Sequence, residues 1–340
     1  MASLLNLTEF ERLALWDKSS FKDFLPSIVY LFLCVVVGVV GNGIVIYIYG
    51  LRLHKNHDGR YFIPYLAVVD LLAVIFSTEH HIVIYFYPVT YKWESFCKLN
   101  CYVAHVTTVC SLVIILTISI QRYLKVCTPY GRQMTLFWRR CSLLISFVVS
   151  VVFAIPTYFI YGLEKKYNQE LNITGYACVR VTTQHQSLFL VYSALCLVFV
   201  ITEWIVLIVL YVKVARVIFQ QSNSRDHDRR AHKITLMFMT ISIIYILTFL
   251  PRMITSIVAG VKADFWDSLS VEAFDVIDIL HLLYIVNHVA NPFVYACMDV
   301  KFWTEFKKVV ICSSSAENLF EVSENLNVST RRESLETKVN

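Results

Sequence analysis

CKLNCYVAHVTTVCSLVIILTISIQRYLKVCTP, running from Cys97 to Pro129, is the stretch on which the reading of this chain turns. Between Lys98 and Arg122 its only other ionisable side chain is His105. The remainder is apolar or small and polar over the ~20 residues that a helix needs to cross a bilayer. A cysteine stands at one mouth, and at the other Gln121-Arg122-Tyr123 is followed by Pro129.

Outward from that helix the same character recurs. Segments about Leu25 to Leu51, Tyr61 to Tyr85, Phe96 to Val126, Trp138 to Ile160, Ser187 to Phe219, Lys233 to Val258 and Phe274 to Met298 are each long and apolar enough to span. Hydrophobic residues make up 57% of the 340 and charged ones 16%, against roughly half and a quarter in soluble domains. The fold class expected is therefore an all-α membrane protein, a bundle of seven transmembrane helices. Seven is odd, so the termini fall on opposite sides. With the amino terminus outside, 20 of the 30 Lys and Arg lie in cytosolic pieces and 8 in outer ones, the arrangement that the positive-inside rule selects. The net charge of +5 then reflects this orientation and contact with anionic lipid rather than nucleic-acid binding.

Three parts are expected: an extracellular tail over 1–24, the bundle with a short amphipathic eighth helix over 25–310, and a disordered, Ser- and Glu-rich cytosolic tail over 311–340. Phe302, Trp303 and Phe306 beside Lys307-Lys308 suit a helix lying on the inner leaflet. Cys312 just beyond is a candidate for palmitoylation. Asn6 and Asn172 open glycosylation sequons in segments placed outside.

Polar groups inside the spans carry the functional reading. Asn42 in the first helix should face the bundle, because an unpaired amide in hydrocarbon is costly. Asp70 near mid-membrane must be protonated, paired or cation-bound. Pro251 in Thr248-Phe249-Leu250-Pro251 removes a backbone hydrogen bond and should kink the sixth helix. Glu203 needs a partner or a proton at its depth. Arg252 has three choices: Glu203, Asp278, or an anionic group of a ligand. Glu79-His80-His81 lacks the further ligands that a zinc site would need.

Asn42, Leu66-Ala67-Val68-Val69-Asp70, Cys97, Arg122-Tyr123, Pro251 and Asn291-Pro292-Phe293-Val294-Tyr295 arrive in order on the right helices, and together they resemble the rhodopsin-like (class A) G-protein-coupled receptors. The pattern is similar to that of neuropeptide receptors. What the resemblance implies is a receptor, not an enzyme. An extracellular peptide would bind through Glu79, His80, His105, Arg252, Asp278 and His281. A heterotrimeric G protein would be engaged through Arg122, Tyr123, Tyr211, Phe249, Pro251, Asn291, Pro292 and Tyr295. The only cofactor implied is a sodium ion at Asp70, Ser111, Asn287 and Asn291. The resemblance pairs Cys97 with Cys178, although Cys101 lies one turn deeper on the same face. Arrestin, a receptor kinase and membrane lipid are the other partners expected, and the plasma membrane is the expected location.

The family pattern is also broken in places. Ala104 stands where aminergic members carry an aspartate, which disfavours amines, and the seventh helix has no lysine to hold retinal. Gln121 replaces the usual acidic neighbour of the arginine, predicting ligand-free signalling. A receptor of the same fold for a non-amine small molecule is one alternative. A transporter with a relay through Asp70, Glu203, Arg252 and His105 is another, disfavoured because no internal repeat is visible.

Overall fold

The structure is a computed structural model and describes residues 7–53, 58–181, 186–220, 226–262, 265–266 and 268–309. Asn6, Cys312 and the tail over 311–340 lie outside the described residues.

Among the described residues, seven helices are long and apolar enough to cross a membrane: Leu25–Arg52, Ile63–Phe86, Glu94–Cys127, Leu136–Ile160, Ser187–Gln220, His232–Val261 and Val271–Met298. With short helices at either end, the chain runs α1 (Glu9–Asp23), α2 (Leu25–Val45, continuing as a π-turn through Ile46–Arg52), α3 (Ile63–Phe86), α4 (Glu94–Cys127) and α5 (Leu136–Ile160). A hairpin of β1 (Tyr161–Asn168) and β2 (Ile173–Arg180) follows. Next come α6 (Gln186–Gln220), α7 (Asp226–Val261), α8 (Val271–Leu282), α9 (Val286–Met298) and α10 over 300–309. A 3-10 turn at Leu283–Ile285 joins α8 to α9, and together they make the seventh crossing.

The helix that opened the sequence reading is the hub. Of the spanning window of α4, 72% is buried, against at most 44% in any other crossing. It packs on α3, α5, α6, α7 and β1. The outward faces of the other helices instead expose Leu33, Val36, Phe147, Val198 and Leu247, an apolar belt that in water would have to be covered and in a bilayer meets lipid. Close approach between helices is made by small residues. A Cβ added at Gly41 would lie 2.9 Å from the Pro292 ring. Asn42, fully buried, donates to the Gly38 carbonyl at 3.0 Å and the His288 carbonyl at 2.8 Å, tying the first crossing to the seventh.

At one end of the bundle, the hairpin end, two elements differ from the expected tail and loop. The segment before the first crossing is a helix, α1. Its capping box pairs Thr8 with Glu11: the Glu11 N–H donates to Thr8 Oγ1 at 3.3 Å and the Thr8 N–H to Glu11 Oε2 at 2.8 Å. It lies on the hairpin, with Arg12 donating to the Leu171 carbonyl at 2.8 Å and Asp17 accepting from Thr90 Oγ1 at 2.9 Å. The long loop between the fourth and fifth crossings is the antiparallel hairpin, with Leu163 opposite Cys178. β2 also exchanges hydrogen bonds with the α3–α4 connection, Tyr176 N–H to the Val89 carbonyl at 2.7 Å and Tyr91 N–H to the Tyr176 carbonyl at 3.0 Å. Gly175 makes that crossing fit, since a Cβ there would lie 2.6 Å from the Val89 carbonyl oxygen.

Candidate functional site

Cys97 and Cys178 form the disulfide, with Cα atoms 5.9 Å apart. Cys101 is a free, buried thiol beside His105, so the alternative pairing does not occur. The bridge fastens the hairpin to the head of α4, at the same end of the bundle as a polar region between α3, α4, α7 and α8.

In that region the structure separates the six expected ligand residues. Glu79, His80, His105, Arg252 and His281 are partly exposed, while Asp278 is buried. Asp278 accepts from Ser27 Oγ at 2.6 Å and from the Tyr85 hydroxyl at 2.9 and 3.0 Å, one distance to each carboxylate oxygen. It is a clip joining the first, second and seventh crossings. Glu203 is likewise engaged deeper down, accepting from the Tyr245 hydroxyl at 2.8 Å. Neither carboxylate therefore pairs with Arg252. The guanidinium lies over the Tyr284 ring, 4.0 Å from its centroid, with Nη1 at 3.4 Å from His281 Nε2. His105 Nδ1 meets the Cys101 carbonyl of its own helix at 2.8 Å. Burial and, after it, the charge of Glu79 push the Tyr91 hydroxyl in the α3–α4 connection up to about 12.

From Arg252 a column of rings descends through the bundle. Tyr284 meets Phe249 at 5.9 Å, Phe249 meets Tyr245 at 5.4 Å, and Tyr245 meets Trp204 at 6.4 Å, each edge to face. Phe249 sits two residues before Pro251, which lies inside α7. The column thus connects the polar region to the proline-bearing helix.

Mid-bundle, Asp70 is fully buried. Ser111 Oγ donates to Oδ1 at 2.6 Å, Asn291 Nδ2 donates to Oδ2 at 2.7 Å, and His288 Nδ1 lies 2.8 Å from Oδ1. Here the structure departs from expectation. His288, which sequence reasoning missed, stands against the carboxylate, whereas neither side-chain atom of Asn287 has a hydrogen-bond partner. A sodium ion needs oxygen lone pairs turned inward, but this carboxylate already meets two donors and an imidazole nitrogen. The residues as arranged do not fit the ion, and no step is derived through it.

At the end opposite the hairpin, Arg122 is 1% exposed and has no carboxylate partner among the described residues. Its Nη2 donates to the Gly59 carbonyl at 2.9 Å and to Gln121 Oε1 at 2.8 Å, and the guanidinium faces Phe238 at 5.3 Å. The next residue in that connection, Arg60, makes a fork on Asp299, Nε to Oδ2 at 2.5 Å and Nη2 to Oδ1 at 2.8 Å, with the Tyr49 hydroxyl adding 2.7 Å. Burial alone would raise the Asp299 pKa, but the Arg60 fork outweighs it and holds the carboxyl below its ordinary range. Tyr211 accepts from Ser119 at 2.8 Å and Ser242 at 3.3 Å, bridging α4, α6 and α7. The Tyr295 hydroxyl is buried without a hydrogen-bond partner, and Tyr123 lies under Lys213 Nζ at 5.7 Å.

Seven apolar crossings, the disulfide at one end and the Arg122-Tyr123 pair with its buried arginine at the other define a seven-transmembrane receptor architecture. The model of the 7 transmembrane receptor (rhodopsin family) matches residues 41–295, and the chain belongs to that family. It is a multi-pass membrane protein of a receptor family, not an enzyme. Among curated proteins it is 23% identical over 302 residues to the neuromedin-U receptor 2 of Mus musculus, covering 84% of this chain and 75% of that one. It is 23% identical over 304 residues to the tachykinin-like peptides receptor 99D of Drosophila melanogaster, covering 81% and 55%. It is also 24% identical over 312 residues to the histamine H2 receptor of Cavia porcellus, covering 88% and 82%.

Proposed function

We propose that this receptor sits in the plasma membrane with the hairpin end outside, binds an extracellular peptide there and activates a heterotrimeric G protein at the Arg122 end. The observation that carries the reading is Arg252: a cation with no carboxylate partner among the described residues, at the head of a ring column leading to the helix that contains Pro251. A ligand that binds better when α7 is displaced would shift the balance between two bundle states. Arg122, resting on neutral acceptors, is a group that can change partners at low cost, with the free Tyr295 hydroxyl and Tyr211 as alternatives. The relatives named for peptides support a peptide. The relative named for histamine does not transfer its ligand class, because Ala104 offers no carboxylate for an amine. Asn172, exposed at the hairpin turn, is accessible to a glycan, and the tail from Ser313 would serve arrestin and a receptor kinase.

The test is a peptide library applied to cells expressing the receptor, with calcium and cyclic-nucleotide readouts. A saturable peptide response absent from untransfected cells is expected. Responses confined to non-peptide compounds would replace the peptide reading with the small-molecule one, and substrate uptake without signalling would favour transport.

A further inference from the structure

The polar region at the hairpin end was expected to carry mixed charge, but the structure engages two of its acids away from Arg252. Asp278 has both oxygens engaged by Ser27 and Tyr85, and Glu203 is bound to Tyr245 below the Phe249 ring. The charge of Glu79 acts on Tyr91. What remains around Arg252 is histidine: His281 in contact at 3.4 Å, with His80, His81 and His105 near enough to interact with its charge.

The tautomer of His281 follows from its neighbours. Thr255 Oγ1 lies 2.7 Å from His281 Nδ1 and 3.0 Å from each of the Pro251 and Arg252 carbonyls. With the hydroxyl hydrogen directed at a carbonyl, Oγ1 accepts from Nδ1–H. Nε2 then presents a lone pair to the Arg252 N–H. His281 thereby orients the guanidinium without neutralising it, and the Tyr284 face supports it from the other side. An arginine fork held on a ring and an imidazole, its remaining N–H groups without a hydrogen-bond partner among the described residues, matches the planar, bidentate geometry of a carboxylate.

Resting on the ligand-site reading above, we propose that the Arg252–His281 pair is an acid-recognition subsite, and that the ligand places a carboxylate there, from a free C-terminus or an Asp or Glu side chain. A carboxamide cannot supply the negative partner that Arg252 lacks among the described residues. An amine is repelled.

The test uses purified receptor and two probes alike except at one group, N-acetylphenylalanine and N-acetylphenylalaninamide, at millimolar concentration. Thermal unfolding and saturation-transfer NMR are measured on wild type, Arg252→Lys and Arg252→Gln. The acid is expected to bind wild type at least tenfold more tightly than the amide, Arg252→Lys, which keeps the charge but loses the fork, to retain only part of that ratio, and Arg252→Gln to bring it to about one. Equal binding of acid and amide to folded wild type, failure of the acid to bind, or an acid preference that survives in Arg252→Gln, overturns the proposal. Library agonists are then made as acid and amide pairs. A peptide agonist indifferent to neutralising every acid group leaves the peptide reading standing and removes the subsite. A non-peptide carboxylic acid that depends on Arg252 does the reverse.

Discussion

At the hairpin end Arg252 leans on a tyrosine ring at 4.0 Å and an imidazole at 3.4 Å, whereas at the opposite end Arg60 closes a fork on Asp299 at 2.5 and 2.8 Å. The two guanidinium groups are chemically identical. Their difference lies in what separating them from their partners would leave behind. Pulling Arg60 away strands a carboxylate whose side chain is 1% exposed, and such breakage costs about 3–5 kcal/mol. Pulling Arg252 away strands no carboxylate among the described residues. Arg122 belongs with Arg252 in this respect, since a backbone carbonyl and an amide oxygen hold it. Charges meant to stay are paired with charges, and charges meant to exchange partners rest on neutral groups.

The largest test of that distinction is Arg122→Ala. Agonist-stimulated signalling should be lost while agonist binding at matched surface expression is largely retained; full signalling by the variant would place Arg122 among the merely structural groups. Next is the covalent fixing of the hairpin end. The 81-residue separation of Cys97 and Cys178 corresponds to roughly 4.5 kcal/mol of chain entropy, so Cys97→Ser with Cys178→Ser should lower surface expression and thermal stability sharply. An unchanged melting temperature would show that the α1 and Tyr91 contacts suffice.

Asp299→Asn should destabilise the receptor by about 3–5 kcal/mol, with a lowered melting temperature in detergent. The sign with pH is fixed. Because Arg60 holds the carboxyl below its ordinary range, its contribution is complete above the unfolded value near ~3.9 and disappears as pH falls through the folded value. Wild type should therefore lose on acidification an increment of stability that Asp299→Asn never had; identical acid profiles would deny the fork its role. A smaller change is expected at Gln121, whose Oε1 accepts from Arg122 at 2.8 Å. Gln121→Asp converts that bond to an ionic one, and if this adds about 1.4 kcal/mol it lowers ligand-free signalling about tenfold. Unaltered basal activity would locate the restraint in the Gly59 contact alone. The smallest effect is at Asp70, where exchanging sodium for choline should leave agonist affinity unchanged, and a sodium-dependent shift would mean that His288 yields its place.

How much of this was legible in the sequence depended on which force wrote it. Continuous apolar runs set the seven crossings, since nothing but hydrocarbon accommodates them. The Thr8 and Glu11 pair was readable as a capping box but lay in a segment whose polarity suggested a tail; docking on the hairpin, a tertiary contact, is what a helix of that length needs to persist. At Asp70, residues three and four before Asn291 both share its face, so spacing admitted His288 and Asn287 equally, and the resemblance favoured Asn287. Arg252, Asp278 and Glu203 could be drawn as one charged pocket because all three are rare in a membrane. Only the positions of Ser27, Tyr85 and Tyr245 decide that the two acids are engaged elsewhere, and those hydroxyls carry no mark in the sequence.

The Gly59 carbonyl on Arg122 has a consequence for how this receptor would respond to genetic variation. An oxygen of the peptide backbone is encoded by no particular codon, and a Cβ at Gly59 would find its nearest neighbours at an ordinary 3.6 Å. Alanine scanning would pass over the position silently. What disturbs the contact is a change of chain length, a one-residue insertion or deletion between the first two crossings, or replacement of the amide following residue 59 by an ester, whose carbonyl is a poorer acceptor. Lineages that substitute freely in this connection yet never alter its length would be the evolutionary trace of such a restraint.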